Sequence, residues 1–217
     1  MKKLLLSFGL LLGLAAPAFA QVPCIGVGGV NTVPQVGVSC ASEPAVASYG
    51  ATSVALVPVA AGATDFFCIG GATGKVIRIQ RIRVAGTATT IVTVPLLVTK
   101  HASLDTPAGA GSATTTMIPV PYALDSNNPT ASATTRAWIT ANPTITDAAP
   151  GIIAASNLQL NLPAAVGTTT IFDWESRLYV EAITLRKATE EVCLNLNTTA
   201  VVAGLLYTTV TWTEAAQ

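Results

Sequence analysis

The chain has 217 residues with 11 basic and 11 acidic side chains, a formal net charge of zero, and only 10% charged residues against 51% hydrophobic. An ordinary soluble domain carries about 25% charged residues. No lysine or arginine cluster is present to neutralise phosphates, which excludes nucleic acid as a partner, and the hydrophobic content excludes a chain too polar to fold.

The first twenty residues, MKKLLLSFGLLLGLAAPAFA, read as a secretory signal peptide. Lys2 and Lys3 form the positive start, Leu4 to Ala16 the apolar run, and Ala18-Phe19-Ala20 the small-x-small cleavage site. The apolar run is well short of the ~20 residues that span a bilayer. Gln21 rather than cysteine follows the cleavage site, which argues against a lipoprotein. Cleavage removes two of the 11 basic residues, leaving nine against eleven acidic, a net charge of −2. No second long apolar run follows, so the mature protein is expected outside the cytoplasm with no membrane span.

Residues 21–48 are rich in Gly, Val, Pro and Ser without a sustained period and read as an extended arm or linker. From residue 49 to 217 the texture changes to short apolar runs heavy in Thr, Val, Ile and Leu, punctuated by Gly, Pro and Asn. Such β-branched residues suit a pleated, half-buried surface. Candidate strands begin with Val54–Val59 and Phe66–Ile69, followed by GKVIRIQRIRVAG. There Ile77 and Ile79 share one face while Ile82 and Val84 take the opposite parity, so the phase slips at Gln80-Arg81, the mark of a β-bulge.

In ATTIVTVPLLVTK, Val92, Val94, Leu96 and Val98 share a face, and Pro95, lacking an N–H, predicts an edge or a bulge. Further strands are expected at Thr116–Tyr122, Arg136–Thr140, Ile152–Ala154, Leu158–Leu162, Thr169–Trp174, Leu178–Arg186, Val192–Leu196 and Leu205–Thr213. In the last, Leu206, Val210 and Trp212 oppose Leu205, Tyr207, Thr209 and Thr211. No long 3.6-residue stripe appears. About ten short strands with turn signals between them predict an all-β, two-layer antiparallel sandwich, most simply jelly-roll-like, with minimal helix.

Four cysteines in an exported chain suggest disulfides and allow three pairings. Cys24 and Cys40 share one glycine-rich segment, whose closure is entropically cheap. Cys68 and Cys193 each sit in an apolar strand-like run, which favours the pairing Cys24–Cys40 with Cys68–Cys193. The competing reading of the second pair is two buried thiols packed as small hydrophobes. Zinc is disfavoured, since there is no C-x-x-C spacing and the single histidine is remote in sequence.

Motifs that imitate chemistry fail on inspection. GGATGK, Gly70 to Lys75, has Ile69 where a phosphate loop needs glycine and Val76 where it needs Ser or Thr, so a tight turn explains it. GVGGVN at Gly26 puts Asn31 in the third glycine position of a dinucleotide fingerprint. His101 ends a strand and opens a Gly/Ala/Ser loop, where a solvated side chain is expected, and no G-x-S-x-G elbow supports a triad. The acidic residues Asp65, Asp105, Asp125, Asp147, Asp173, Glu175, Glu181, Glu190 and Glu191 are scattered, and Asp173 with Glu175 reads as a solvent-facing patch with Arg177.

In LDSNNPT, Asp125, Asn127 and Asn128 offer oxygens suited to a binding loop or calcium, although Asx-turn chemistry accounts for the same residues. Trp138, Trp174 and Trp212 are the candidate sugar-stacking aromatics, each in an apolar strand pattern that favours burial instead.

The strings DFFCIGGATGKVIRIQRIRVAGTAT, the VTK strand end with its Gly/Ala/Ser loop, PYALDSNNPTASATTRAWITANPT and CLNLN…GLLYTTVTWTE follow one another from about Val54 to Glu214. In that order they resemble a poorly characterised family encoded among phage and prophage structural genes. The resemblance covers roughly three quarters of the chain. It implies a β-sandwich, virion-associated or surface-exposed structural protein with no catalytic residues and no cofactor. The leader and cysteine-bearing arm, residues 1–48, depart from it. The expectation is a non-enzymatic structural or assembly protein, exported or virion-associated, that forms a homo-oligomer or packs on a neighbouring structural protein. The alternative is a secreted module that binds a glycan or surface receptor through the Asn/Asp loop and one exposed tryptophan.

Overall fold

A computed structural model describes residues 46–59, 62–106, 120–139, 141–147, 149–163, 168–174, 182–199 and 204–217. The leader and most of the arm, with Cys24 and Cys40, lie outside the described residues. Eleven strands follow in order: β1 (Ala47–Leu56), β2 (Asp65–Gly70), β3 (Lys75–Thr87), β4 (Val92–His101), β5 (Tyr122–Ala123), β6 (Thr134–Ala137), β7 (Gly151–Leu160), β8 (Thr169–Asp173), β9 (Ile183–Leu185), β10 (Glu191–Asn195) and β11 (Leu205–Ala216). All named pairings are antiparallel.

The first sheet runs β5-β1-β11-β3-β8, with β9 also on β3, and the second runs β6-β2-β10-β4-β7. The long strands form two rows of four, β1-β11-β3-β8 and β2-β10-β4-β7, with the first and last strands neighbours in one sheet. That is the strand order of a jelly roll.

The bulge expected in β3 is present. Thr211 of β11 opposes Arg81 and Trp212 opposes Ile79, which leaves Gln80 as the extra residue. Ile77, Ile79, Ile82 and Val84 are consequently all buried despite their change of parity. Pro95 pairs with Asn157 of β7, while β10 reaches only as far as Leu97. A strand in the interior of the sheet therefore carries its proline beyond the end of one neighbour, so that Pro95 has a single strand partner as an edge residue does.

Some boundaries differ from the sequence reading. The segments Ile152–Ala154 and Leu158–Leu162 are one strand, β7, because the small residues between them keep extended pairing without bulk to signal it. β1 starts at Ala47, inside the segment read as an arm, because register with β11 holds its small residues. The stretch Gly70–Lys75 turns at Gly74, whose φ of 69° suits glycine.

Between the sheets lies one apolar core that includes Phe66, Phe67, Ile77, Ile79, Leu96, Leu158, Leu194, Val210 and Trp212. Among the described residues, no helix is long and apolar enough to cross a membrane.

A sealed polar cluster as the candidate functional site

Strands β6, β2, β10 and β4 lie side by side, and their alternation sorts residues onto two faces. Phe67, Ile69, Val192, Leu194 and Val98 enter the core. Register places Cys68 opposite both Cys193 and Arg136, Cys193 opposite Thr99, and Glu191 opposite His101, all on the outer face. Cys68 and Cys193 are bonded as a disulfide with Cα atoms 4.1 Å apart. Strands distant in sequence are thus immediate neighbours in the sheet. Trp138 packs on this disulfide, and all three residues are buried.

Residues 102–106, which leave β4, fold back across this face. Thr106 and Thr144 exchange backbone hydrogen bonds of 3.1 and 2.8 Å. Ala102 N–H donates to Asp147 Oδ2 at 2.8 Å, and Thr146 Oγ1 donates to the Leu104 carbonyl at 2.8 Å. Under this strap Asp65, His101, Asp105 and Glu191 are each at most 1% exposed. The expectation of a solvated His101 is therefore corrected: the residues that follow it, 102–106, cross this face of the sheet and the imidazole is buried.

Within the cluster, Asp105 N–H donates to Glu191 Oε1, and Arg136 Nη2 donates to Glu191 Oε2. Arg136 Nη1 donates to the Asp105 carbonyl at 2.9 Å, and its guanidinium lies 5.6 Å from the Trp138 ring centre. Asn195 Nδ2 donates to Asp65 Oδ1 at 2.8 Å. His101 Nε2 is 3.0 Å from Thr99 Oγ1 and 3.5 Å from Asp65 Oδ2, while Nδ1 is 3.5 Å from Asp105 Oδ1.

Burial pushes the Asp105 carboxyl up to about 8, helped by its hydrogen bond to Asp65 and the charges on Asp65 and Glu191, against the pull of Arg136. Glu191 rises to about 7 by burial, opposed by the Asp105 N–H and Arg136. Burial holds His101 below its ordinary value in spite of Asp65 and Asp147. The imidazole is therefore neutral near pH 7, and its 3.5 Å approaches to carboxyl oxygens are not ion pairs.

Two overlapping donor sets have metal-ligand spacing: Cys68, Asp105, Glu191 and Cys193, and Asp65, His101 and Cys193, with one atom from each residue of a set mutually within 4.8 Å. The histidine that seemed remote in sequence is thus close to a cysteine in space. Both sets nevertheless include Cys193, whose sulfur is spent in the disulfide, so the oxidised chain offers neither set a thiolate. A hollow of ≈ 390 Å³ beside the cluster is lined in part by Lys100, Asp147, Ile152 and Glu190. It reaches the His101 position, yet the imidazole has no exposed surface.

The other candidates fall elsewhere. Asp125 Oδ1 accepts from Asn127 N–H at 2.9 Å, the Asp125 carbonyl accepts from Asn128 N–H at 3.0 Å, and Asn128 Nδ2 donates to the Ser48 carbonyl at 3.2 Å. Turn formation and docking on β1 account for this loop. The three tryptophans do not share a surface, so the stacking platform is corrected: their apolar strand positions bury them. Trp138 lies at the disulfide, Trp212 stacks on Tyr49 at 5.9 Å in the core, and partly buried Trp174 stacks on Phe172 at 6.1 Å. Asp173 pairs with Arg81 at 2.8 Å, whereas Glu175 and Arg177 lie outside the described residues.

Sequence reasoning missed Glu214 altogether. Its carboxylate accepts from the Ser132 and Ala133 N–H groups and from Trp212 Nε1. The signal was available, because Glu214 shares the inward parity of Val210 and Trp212. Comparison of the chain with protein-family models, with curated proteins and with solved structures finds no match.

Proposed function

We propose that this chain is a structural β-sandwich, exported or virion-associated, that acts by packing against copies of itself and carries out no catalysis. The observation that carries this reading is the outer face of the first sheet. Register aligns Thr52, Thr209, Arg83 and Ile171 in one row, Thr211, Arg81 and Asp173 in the next, and Tyr207, Ala85 and Thr169 in a third. Val54, Ile171 and Tyr207 are 70%, 51% and 39% exposed. Hydroxyls and apolar side chains dominate it, and the Arg81–Asp173 pair neutralises part of its charge. Such a face meets another copy with little like-charge repulsion.

Two further points support the reading. Among the described residues, the clustered Asp65, His101, Asp105 and Glu191 are each at most 1% exposed, so the cluster is closed to a substrate in this conformation. The jelly roll is also the architecture of many viral capsid and lectin domains, an analogy of fold that agrees with the resemblance to phage structural proteins without fixing a role. Light scattering over a concentration series, followed by electron microscopy, tests the proposal. A defined oligomer or ordered particle is expected; a monomer at high concentration contradicts it.

A further inference from the structure

We infer that residues 102–106, clipped to 141–147, form a strap held shut over the Cys68–Cys193 disulfide by a proton shared within the Asp65–Asp105–His101 group, and that losing this proton in alkaline solution loosens the strap. The inference is independent of the self-association reading. It begins with unmatched oxygens. Asp65 Oδ2, both carboxyl oxygens of Asp105 and His101 Nδ1 are buried with no hydrogen-bond donor assigned to them. Asp65 Oδ2 and Asp105 Oδ1 each lie 3.5 Å from a nitrogen of the one buried His101 ring, and two carboxyl groups so placed resist being ionised together, because like charges in a dry site repel strongly. One proton resolves the conflict by making a donor where there is none.

The surroundings supply little compensation. The charged or titratable groups facing Asp105 are Asp65 from β2, His101 from β4, Glu191 from β10 and Arg136 from β6, with Asp147 on the second leg of the strap. Arg136 is the single permanent cation among them, and it is already engaged with Glu191 and the Asp105 carbonyl. A negative charge at Asp105 would therefore face the carboxyls of Asp65 and Glu191 across a site at most 1% exposed. Opening to water is the available relief, since hydration of the carboxylate removes the penalty.

The strap is the element able to yield. It is tied down by the Thr106–Thr144 pair, the Asp147 and Thr146 side-chain bonds and the Asp105 links to Glu191 and Arg136, whereas β10 beneath it is paired along its length with β2 and β4. Its movement would uncover the disulfide, because an Asp105 carboxyl oxygen lies within 4.8 Å of both sulfurs. The consequence is a disulfide shielded from reductants in neutral or acidic surroundings and accessible in alkaline ones.

The test is the rate of Cys68–Cys193 reduction by a water-soluble phosphine between pH 6 and pH 9.5, in the full chain with Cys24→Ser and Cys40→Ser. Each rate is divided by that of the same protein in denaturant, which removes the reagent's own pH dependence. The normalised rate should climb with pH, about tenfold per unit where deprotonation limits opening, and level off once Asp105 is ionised. Asp105→Asn, which keeps shape but cannot ionise, should give a flat profile; Asp65→Asn, which removes a charge that holds Asp105 up, should make the rise smaller and level it off at lower pH. A flat profile in the parent protein overturns the proposal. So does an identical rise in both variants, or reduction only at the rate of global unfolding. If Asp105→Asn fails to fold, hydrogen exchange at the Asp105, Thr106 and Thr144 amides of the parent decides: protection corrected for intrinsic exchange should fall selectively with pH, and uniform protection overturns the proposal.

Discussion

Trp212 Nε1 donates to Glu214 Oε1 at 3.0 Å, joining two residues of β11 that point into the sandwich from the same face. The same carboxylate receives the Ser132 and Ala133 N–H groups at 2.9 to 3.0 Å, so one side chain both satisfies a buried indole and fastens the segment before β6. Glu214→Ala would leave three donors short of an acceptor. It should cost about 3 kcal/mol, given ~1–3 kcal/mol for each buried donor left unpaired and partial rescue by water. Urea unfolding checks this, with Glu214→Gln expected to lose less. A midpoint unchanged in both variants would deny the carboxylate this role.

The Cys68–Cys193 bridge closes a sequence separation of 125 residues. Replacing both cysteines by alanine should lower stability by roughly 3–5 kcal/mol, chiefly by freeing the unfolded chain. Thermal unfolding of this double variant beside the parent protein measures the effect. An unchanged Tm would mean that the unfolded chain gains nothing from the missing bridge.

Stability should also depend on pH in a direction opposite to that of ordinary salt-bridged carboxylates. Asp105 moves from an ordinary 3.8 to about 8 and Glu191 from 4.5 to about 7 on folding, so between those values the native state holds protons that the unfolded chain releases. Stability therefore falls as pH rises through this window and levels off above about 8. His101 acts the other way: its lowered value means that folding expels a proton below the ordinary 6.5, which offsets part of the carboxyl gain in acid. The steepest loss is expected from about pH 6.5 to 7, where both carboxyls contribute and His101 no longer offsets them, with a shallower loss on to about 8. Tm across that range should fall in the parent protein and fall less in Asp105→Asn. Parallel curves would contradict the assignment to Asp105.

Much of the fold was legible because it is written in parity. Ile77, Ile79, Ile82 and Val84 announce a strand with a slip at Gln80, and both the strand and its bulge are present. The faces of β11 follow the alternation of Leu206, Val210 and Trp212 against Tyr207, Thr209 and Thr211. The Cys68–Cys193 bridge followed from two apolar runs of similar texture. The sealed cluster was not legible. Its members come from β2, β4, β6, β10 and the strap, and alternation says which face a residue takes but not which loop will cover that face. His101 misled for this reason, since nothing in the residues just after it, 102–106, gives a sign that they cross the outer face of the sheet. The tryptophans show the converse: apolar neighbours in sequence correctly favoured burial over exposure for Trp138 and Trp212.

The central claim, that the outer face of the first sheet joins copies of this chain, is tested most directly by sedimentation velocity on the parent protein and on Val54→Lys, Ile171→Lys and Tyr207→Lys combined. These side chains are exposed and take no part in the core, so the dichroism spectrum should stay that of a β-protein. The parent should sediment as an oligomer and the triple variant as a monomer. A monomeric parent, or an oligomer that survives all three lysines, would contradict the account.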